Sequence, residues 1–437
     1  MTENKKAKSV AFVTLGCKVN QYETNAMTQK FIENGYKILE HHEKADIYII
    51  NTCTVTNMSD RKSRHMLRKM KEQNQEAIIV AVGCYAQVAK EEIEKIPEID
   101  LVLGNNEKVK IVELVEKYLK DHKKQATLDD VMHSTEFSDF GDITYTEKTR
   151  AVIKIQDGCD RFCSYCIIPY ARGRVRSRKP ENIISEITKI AKEGIKEIVI
   201  TGIHIASYGK DFKTEYRLID LLEELNKIEG IERIRLGSLE PLLITDEFLE
   251  RLSKLQKICH HFHLSLQSAC NDTLKRMNRR YTIEQFIEIT KKLRKVYDDV
   301  MLTTDIIVGF PGETDEEFNK TYEMLKEIKF YKTHVFPYSP RKGTKAAIMP
   351  QQINGKIKEE RSKKLIELSN KYQKEYNEKY LSQNVDILFE ECKDGIYKGH
   401  TGNYILAHCK TNKNLENKII KAKCIGIEQE YIIVTEL

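Results

Sequence analysis

No stretch of this 437-residue sequence is apolar for long enough to cross a bilayer, which takes ~18 to 20 residues. The opening MTENKKAKSVAFVTLGC also holds too short an apolar run for a secretory signal, so a cytoplasmic protein with no membrane partner is expected. Charge of one sign is scarce as well. Lys and Arg total 72 against 66 Asp and Glu, and a net +6 over this length does not announce a polyanion partner by itself. There is no internal repeat and no low-complexity tract, and 41% hydrophobic with 32% charged residues excludes a disordered or collagen-like chain. Cysteine is plentiful, at eleven. In a reducing compartment these are metal-binding, catalytic or core thiols rather than a disulfide framework.

The length suggests two to four domains. From residue 8 to about 120, β-rich runs alternate with amphipathic stretches: SVAFVTL, DIYIIN, AIIVAV and IDLVL, each followed by a helical pattern. That alternation implies a parallel α/β sheet. Cys17, Cys53 and Cys84 each fall just past the carboxyl end of one of these strands, the edge where crevices form in open parallel sheets. Residues 121 to 148 are polar and aperiodic, a linker with a short hairpin. Strands at AVIKIQ, EIVIT, RIRLG, FHLSL, LTTDIIVG and THVFPYS, separated by helices, then predict a partial barrel that functions at its C-terminal face. After a long helix, short alternating strands with Gly, Asn and Lys turns predict a small all-β barrel. The expected division is 8–125, 145–372 and 373–437.

The strongest chemical signal is Cys159-x3-Cys163-x2-Cys166, directly after the first barrel strand. Three thiolates on one loop can hold three irons of a [4Fe-4S] cluster and leave the fourth without a protein ligand. Zinc is the structural alternative, but zinc sites are usually four-coordinate and often pair Cys-x2-Cys modules, and no second pair occurs. The spacing resembles that of the radical S-adenosylmethionine superfamily. There, the open iron chelates the cofactor, and an electron passed to the sulfonium releases a 5'-deoxyadenosyl radical. Tyr165, between the second and third cysteines, stands where that superfamily places an aromatic near the cofactor adenine, or is a wall of the loop.

The likeness runs from about residue 8 to the end. TLGCKVNQYET, NTCTVTN and VGCYAQ, around Cys17, Cys53 and Cys84, resemble the amino-terminal domain of the methylthiotransferases. KIQDGCDRFCSYCIIPYARGRVRSR, HLSLQSACNDTLKRMNRRYT, TTDIIVGFPGET and FPYSPRKGT resemble the same family, and DGIYKGHTGNYI resembles its RNA-binding TRAM barrel. Ala269 stands where relatives usually have Gly. The resemblance implies a flavodoxin-like domain, a partial (β/α)6 radical SAM barrel and a TRAM barrel. It also implies S-adenosylmethionine and a second [4Fe-4S] cluster on Cys17, Cys53 and Cys84 that supplies sulfur. Without it, each of those three could be a buried thiol. Gly16-Cys17-Lys18-Val19-Asn20 looks like the branch that methylthiolates C2 of N6-threonylcarbamoyladenosine beside the tRNA anticodon. Other branches act on isopentenyladenosine in tRNA or on a ribosomal-protein aspartate.

Other positions follow from strand ends. Gly202, Glu240, Gln267 and Asp305 can reach the cofactor side of the barrel, although Gln267 and Asp305 can equally pin strand ends. Gly237 could likewise let backbone approach the cofactor. Arg172, Arg174, Arg176, Arg178 and Lys179 follow the cysteine loop without an acid among them, and Arg61, Lys62, Arg64, Arg68, Lys69 and Lys71 follow Cys53. Lys393, Lys398, His400, His408 and Lys410, with Tyr397 and Tyr404 as stacking platforms, add a third basic group. A threonylcarbamoyl carboxylate calls for a cation, for which Arg341 or Arg172 is expected. The partners expected are tRNA, an electron donor and a sulfur source, acting on a monomer. The rival from another class is a non-enzymatic RNA-binding metalloprotein. The remaining cysteines read as core thiols, Cys270 alone lying near the cofactor loop.

Overall fold

The computed structural model describes residues 8–146 and 149–437, and in it the amino-terminal runs become one parallel sheet. Met1–Ala7, where the segment read for a signal begins, lie outside the described residues. The strands are β1 (Ser9–Thr14), β2 (Lys37–Leu39), β3 (Ile47–Thr52), β4 (Ile78–Gly83), β5 (Leu101–Leu103) and β6 (Gln125–Thr127), in the order β2-β1-β3-β4-β5-β6. Helix α1 (Lys18–Glu33) follows β1, α2 (Asn57–Gln73) follows β3 and α3 (Cys84–Val88) follows β4. Apolar cores cover both faces, and every residue of β3 is buried, so that strand reads as a continuous apolar run. Thr14 pairs with Asn51 and Thr52 with Gly83, which makes β1, β3 and β4 end level. The loops that follow them share one edge.

β6 adds an edge strand inside the stretch expected to be linker, because three residues are too few to show alternation. No hairpin forms there among the described residues. Residues 128–146 are instead tied down by ion pairs of Asp139 with Arg178 and of Asp142 with Lys189, and by Phe140 and Ile143 in the core.

The middle region holds β7 (Arg150–Asp157), β8 (Arg176–Ser177), β9 (Glu197–Gly202), β10 (Arg233–Leu236), β11 (His261–Gln267), β12 (Met301–Val308) and β13 (Lys332–Pro337). Sheets β8-β7-β9-β10 and β11-β12-β13 join through the bridges Ile234–Ile258 and Leu239–Leu264 into one curved, unclosed wall. All its strands are parallel except β8, a two-residue return on β7. Ile153, Ile200, Ile234, Phe262, Leu264 and Ile306 face the helices in the main core. Alternation then turns Lys154, Arg235, His261, His263, Thr303 and Asp305 to the inner face.

Helix α1 packs against β7 and β9 as well as its own sheet. That double contact explains why ten of its sixteen residues are buried, five of them polar: Asn20, Glu23, Thr24, Asn25 and Thr28. The long helix Gly355–Glu378 packs on β13 and leads to β14 (Asn384–Lys393), β15 (Ile396–Thr401), β16 (Leu406–Lys410), β17 (Ile419–Ile427) and β18 (Ile432–Glu436). These close into a barrel in the order β14-β15-β16-β18-β17, around Ile387, Phe389, Ala407 and Val434. The fold class is therefore the expected one: a parallel α/β sheet, a partial (β/α) barrel and a small β-barrel. No helix among the described residues is long and apolar enough to cross a membrane.

Candidate functional site

Cys17, Cys53 and Cys84 converge at the shared edge of the first sheet. Gly16 has φ +97°, and a Cβ there would lie 2.7 Å from the Cys53 Sγ, so the Cys17 loop passes directly against Cys53. Asn20 Nδ2 donates to the carbonyls of Leu15 (2.7 Å) and Thr52 (3.1 Å), and Asn51 Nδ2 donates to the Asn20 carbonyl (2.9 Å), which locks the first two loops together. Cys84 opens α3 and receives a hydrogen bond from Nε of Arg172, at 3.2 Å. Cys53 and Cys84 are buried, whereas Cys17 is exposed.

Cys159, Cys163 and Cys166 share the loop after β7. The Cys159 N–H bonds the Gly173 carbonyl (3.0 Å) and the Cys166 N–H the Cys163 carbonyl (2.9 Å). Ser164 anchors the loop through its N–H to the Met277 carbonyl (3.0 Å) and its Oγ to the Arg276 carbonyl (2.8 Å). Arg279 spans from Cys163 Sγ (3.3 Å) to Glu240 (2.9 Å). Glu240 also lies 3.6 Å from His204, and burial of this carboxyl is outweighed by His204 and Arg279, which lower its pKa.

None of the six cysteines is in a disulfide. Burial pushes the Cys53 and Cys159 thiols up to about 11 and Cys166 to about 12. As free thiols these are protonated at neutral pH and poor nucleophiles. A soft metal centre would remove the protons, so two clustered sets of three sulfur donors fit iron-sulfur ligation better than covalent catalysis. Arg172 and Arg279 beside the two sets would offset thiolate charge.

The loop of the second set runs straight into the first. Arg172, at the end of the short helix Ile168–Arg172, is fully buried and bonds Asn20 Oδ1 (2.7 Å) and both oxygens of Glu23. Lys108 (2.5 Å) and Lys154 (2.7 Å) also pair with Glu23, and Lys154 bonds Asp157 (2.6 Å). Burial alone would raise the Glu23 pKa, yet Arg172, Lys108 and Lys154 hold it well below the usual range. Asp157 is brought down to about 2, burial again being overcome, here by Lys154 and Arg172. The two domains thus meet through a dry network in which three cations, Arg172, Lys108 and Lys154, hold two carboxylates, Glu23 and Asp157.

Other expected positions divide. Tyr165 is packed edge-on to Phe310, ring centroids 6.5 Å apart, beside Met277 and Met349. Gly202 sits where a Cβ would lie 3.0 Å from the Gln156 carbonyl. Gln267 ends β11 at φ +70°, after a register shift. Asp305 lies on the inner face, 3.3 Å from His263. Arg174 is exposed, pairs with Asp160 and covers the Phe162 ring. Lys398 is partly exposed beside Glu391.

Expectations for six side chains are corrected. Arg172 and Arg176 cannot meet a phosphate backbone, because both are buried; Arg176 bonds the Val131 and Arg174 carbonyls. Arg178 is equally buried, against Asp139 and Glu186. Arg341 is held by Asp60, Thr54 and Asn57 of the first domain, so it is an interdomain tie and no free cation. Tyr404 offers no stacking platform: both ring faces are taken, by His261 (4.7 Å) and His400 (4.6 Å), and its φ is +76°. Tyr397, in the barrel core, is buried. Cys270 lies near Asp272 and Glu317, but Arg276 already neutralises Glu317 (2.5 Å).

Sequence reading missed the inner face. His261 Nε2 and His263 Nδ1 both lie 3.0 Å from Thr303 Oγ1, and His334 stands 5.8 Å from His263, ring to ring. Strand alternation in HFHLSLQ, with Phe262, Leu264 and Leu266 in the core, was the available signal. Between the first domain and the barrel lies a cavity of 910 Å³ lined by Arg61, Arg64, Tyr85, Tyr170 and Lys342 among others.

Comparison with known proteins matches residues 153–325 to the radical SAM superfamily and residues 9–104 to uncharacterized protein family UPF0004. The threonylcarbamoyladenosine tRNA methylthiotransferase MtaB of Bacillus subtilis is 43% identical, over 97% of this chain and 95% of that one. This chain belongs to the radical SAM methylthiotransferase family. Another relative, the tRNA-2-methylthio-N(6)-dimethylallyladenosine synthase of a Thermoanaerobacter species, is 37% identical over 94% of this chain and 88% of its own length. The solved radical S-adenosylmethionine methyltransferase TsrM of Kitasatospora setae shares the fold, with a TM-score of 0.56 at 14% identity, covering 78% of this chain and 75% of that one. Membership of the superfamily implies S-adenosylmethionine and a [4Fe-4S] cluster.

Proposed function

We propose that the protein methylthiolates C2 of N6-threonylcarbamoyladenosine beside the anticodon of tRNA. The observation that supports this reading is the link between the loops of the two cysteine sets: Arg172, six residues past Cys166, donates to the Sγ of Cys84. The 43% identity to a threonylcarbamoyladenosine tRNA methylthiotransferase, against 37% to a tRNA-2-methylthio-N(6)-dimethylallyladenosine synthase, supports the substrate.

Cys159, Cys163 and Cys166 would hold one [4Fe-4S] cluster and Cys17, Cys53 and Cys84 the other. When bound, these groups with S-adenosylmethionine would supply a radical from the Cys159 site, and sulfur and a methyl group from the Cys17 site, so that a C–H becomes C–S–CH3. The protein supplies placement and dryness. Arg279 and Glu240 fix the rim of the Cys159 site, and Tyr165, Gly202, Gln267 and Asp305 would contact the cofactor. Glu23, Lys108, Lys154 and Asp157 fix the distance between the two sites, since a buried network of this kind has one low-energy arrangement.

The division of labour is assigned as 8–125 for sulfur, 145–372 for the radical and 373–437 for RNA grip. Arg61, Lys342 and Arg174 near the interdomain cavity, with Lys393, Lys398 and Lys410 on the last barrel, would meet phosphates. An external electron donor and sulfur source complete the system.

The test is anaerobic reconstitution of the full chain, reduction, and incubation with S-adenosylmethionine and an anticodon stem-loop carrying the threonylcarbamoyl group. A nucleoside heavier by one sulfur and one CH2 is expected. Modification of the isopentenyl stem-loop alone, or no cofactor cleavage by loaded protein, overturns the reading.

A further inference from the structure

Phe336, near the end of β13, is 45% exposed although it belongs to a barrel strand. Val335 packs on the main core, so alternation turns His334 and Phe336 to the inner face, where His334 stands 5.8 Å from His263, ring to ring. Register sets Ile307 opposite Phe336. Ile307 packs in the apolar cluster of Met277, Phe310, Tyr338 and Ala346, which also takes Tyr165 from the cysteine loop. Phe336 therefore lies at the carboxyl end of the inner wall, on the side of Cys159, Cys163 and Cys166. The segment it opens reaches both cysteine sets. The Ala346 N–H donates to the Ser164 carbonyl (2.7 Å), and Arg341 donates to Thr54 Oγ1 (2.7 Å), one residue past Cys53. The Asn57 N–H donates to Ser339 Oγ (3.1 Å), a second tie to the first domain. Tyr165, Phe310 and Tyr338 pack on one another, with ring centroids 6.5 and 5.4 Å apart, and Phe336 is left open beside them.

We infer that Phe336 is the stacking platform for the target adenine, which it holds between the two cysteine sets. This rests on the proposed substrate class. A base in the anticodon loop must leave its own stack to reach a centre inside the barrel, and the open face of Phe336 returns part of the stacking it gives up. The cations of the same segment suit the rest of the nucleotide. Lys342 and Lys345 are exposed and make no ion pair with a described residue, and the same holds for Arg61, which lines the interdomain cavity together with Lys342. An uncovered ring beside unpaired cations fits an unpaired base with its flanking phosphates, and it offers little to the aspartate of a protein substrate. The adenine of S-adenosylmethionine carries the same π-face, so the experiment reads both purines.

The test uses anaerobically reconstituted full-length wild type, Phe336→Tyr, Phe336→Leu and Phe336→Ala. Each is titrated with two labelled anticodon stem-loops, one carrying threonylcarbamoyladenosine at the target position and one an abasic site there. Fluorescence anisotropy gives the Kd of each loop and equilibrium dialysis that of S-adenosylmethionine, and iron per chain is measured for every variant. Wild type should prefer the base over the abasic site by roughly 5- to 100-fold. Phe336→Tyr should keep that ratio, and Phe336→Leu and Phe336→Ala should lower it by roughly 5-fold or more. Abasic-loop binding and the cofactor Kd should stay the same in all four proteins, which a general loss of fold would not give. If Phe336→Ala loses iron, Phe336→Leu, which keeps apolar bulk without a π-face, carries the comparison. A ratio unchanged in Phe336→Leu overturns the inference and leaves the substrate reading intact. Weaker cofactor binding with that ratio unchanged assigns the ring to S-adenosylmethionine and likewise overturns it. A wild type that binds neither loop removes both the reading and the inference.

Discussion

Nε of Arg172 lies 3.2 Å from Sγ of Cys84, although 88 residues separate them in the chain. One side chain thereby couples the loop of the second cysteine set to the first domain. Replacing it by an apolar residue of similar length removes the bonds to Asn20, Glu23 and Cys84 in a dry interface, while Lys108 and Lys154 still neutralise Glu23 and Asp157. Arg172→Met should lose about 1 to 3 kcal/mol of stability in denaturant unfolding, together with iron from the Cys17 site. An unchanged midpoint would mean that the interface is wetter and looser than described.

Gly16 tests the first site without touching a thiol. Its φ of +97° disfavours any side chain, and an added Cβ would fall 2.8 Å from that of Cys53. Gly16→Ala should cost about 1 to 2 kcal/mol and lower iron per chain by half, with cofactor cleavage at the second site retained. Full iron loading in this variant would refute the close approach.

Glu107 provides a pH signature away from both cysteine sets. Burial pushes its carboxyl up to about 7 from an ordinary 4.5, and its Oε2 has no hydrogen-bond partner. The folded state thus binds the proton more tightly than the unfolded chain. Stability is fully present below pH 4.5 and is lost as pH rises toward 7. Glu107→Gln should therefore be more stable than wild type at pH 8, by about 1 to 3 kcal/mol, with the gain shrinking toward pH 5 in thermal melts.

Arg174 and Arg176 are two residues apart, and one faces solvent while the other is buried. Arg174→Ala should reduce the salt dependence of stem-loop binding by a slope of about 1 and leave the melting temperature in place. Arg176→Ala should do the reverse. The same phenotype in both would contradict their assigned places.

The six cysteines were legible because strand ends in a parallel sheet share an edge, and three thiols on one loop share a neighbourhood. The basic residues were legible as charge and misread as surface, since Arg172, Arg176 and Arg178 look the same in sequence whether water or a buried carboxylate faces them. Only the fold reveals that Glu23, 149 residues from Arg172, is the partner. Tyr404 was misread for a related reason: a strained turn carries it inward, between His261 and His400. The histidines of the inner face were within reach of sequence, because the alternation that identified β11 also divides HFHLSLQ into a core face and a polar face.

The central claim, two cluster sites facing one another across the domain interface, is tested most directly by iron and labile sulfide per chain after anaerobic purification. Wild type should hold about eight of each, and Cys17→Ala and Cys159→Ala about four each, with cofactor cleavage surviving only in Cys17→Ala. Four iron atoms in the wild type, unchanged by Cys17→Ala, would contradict it.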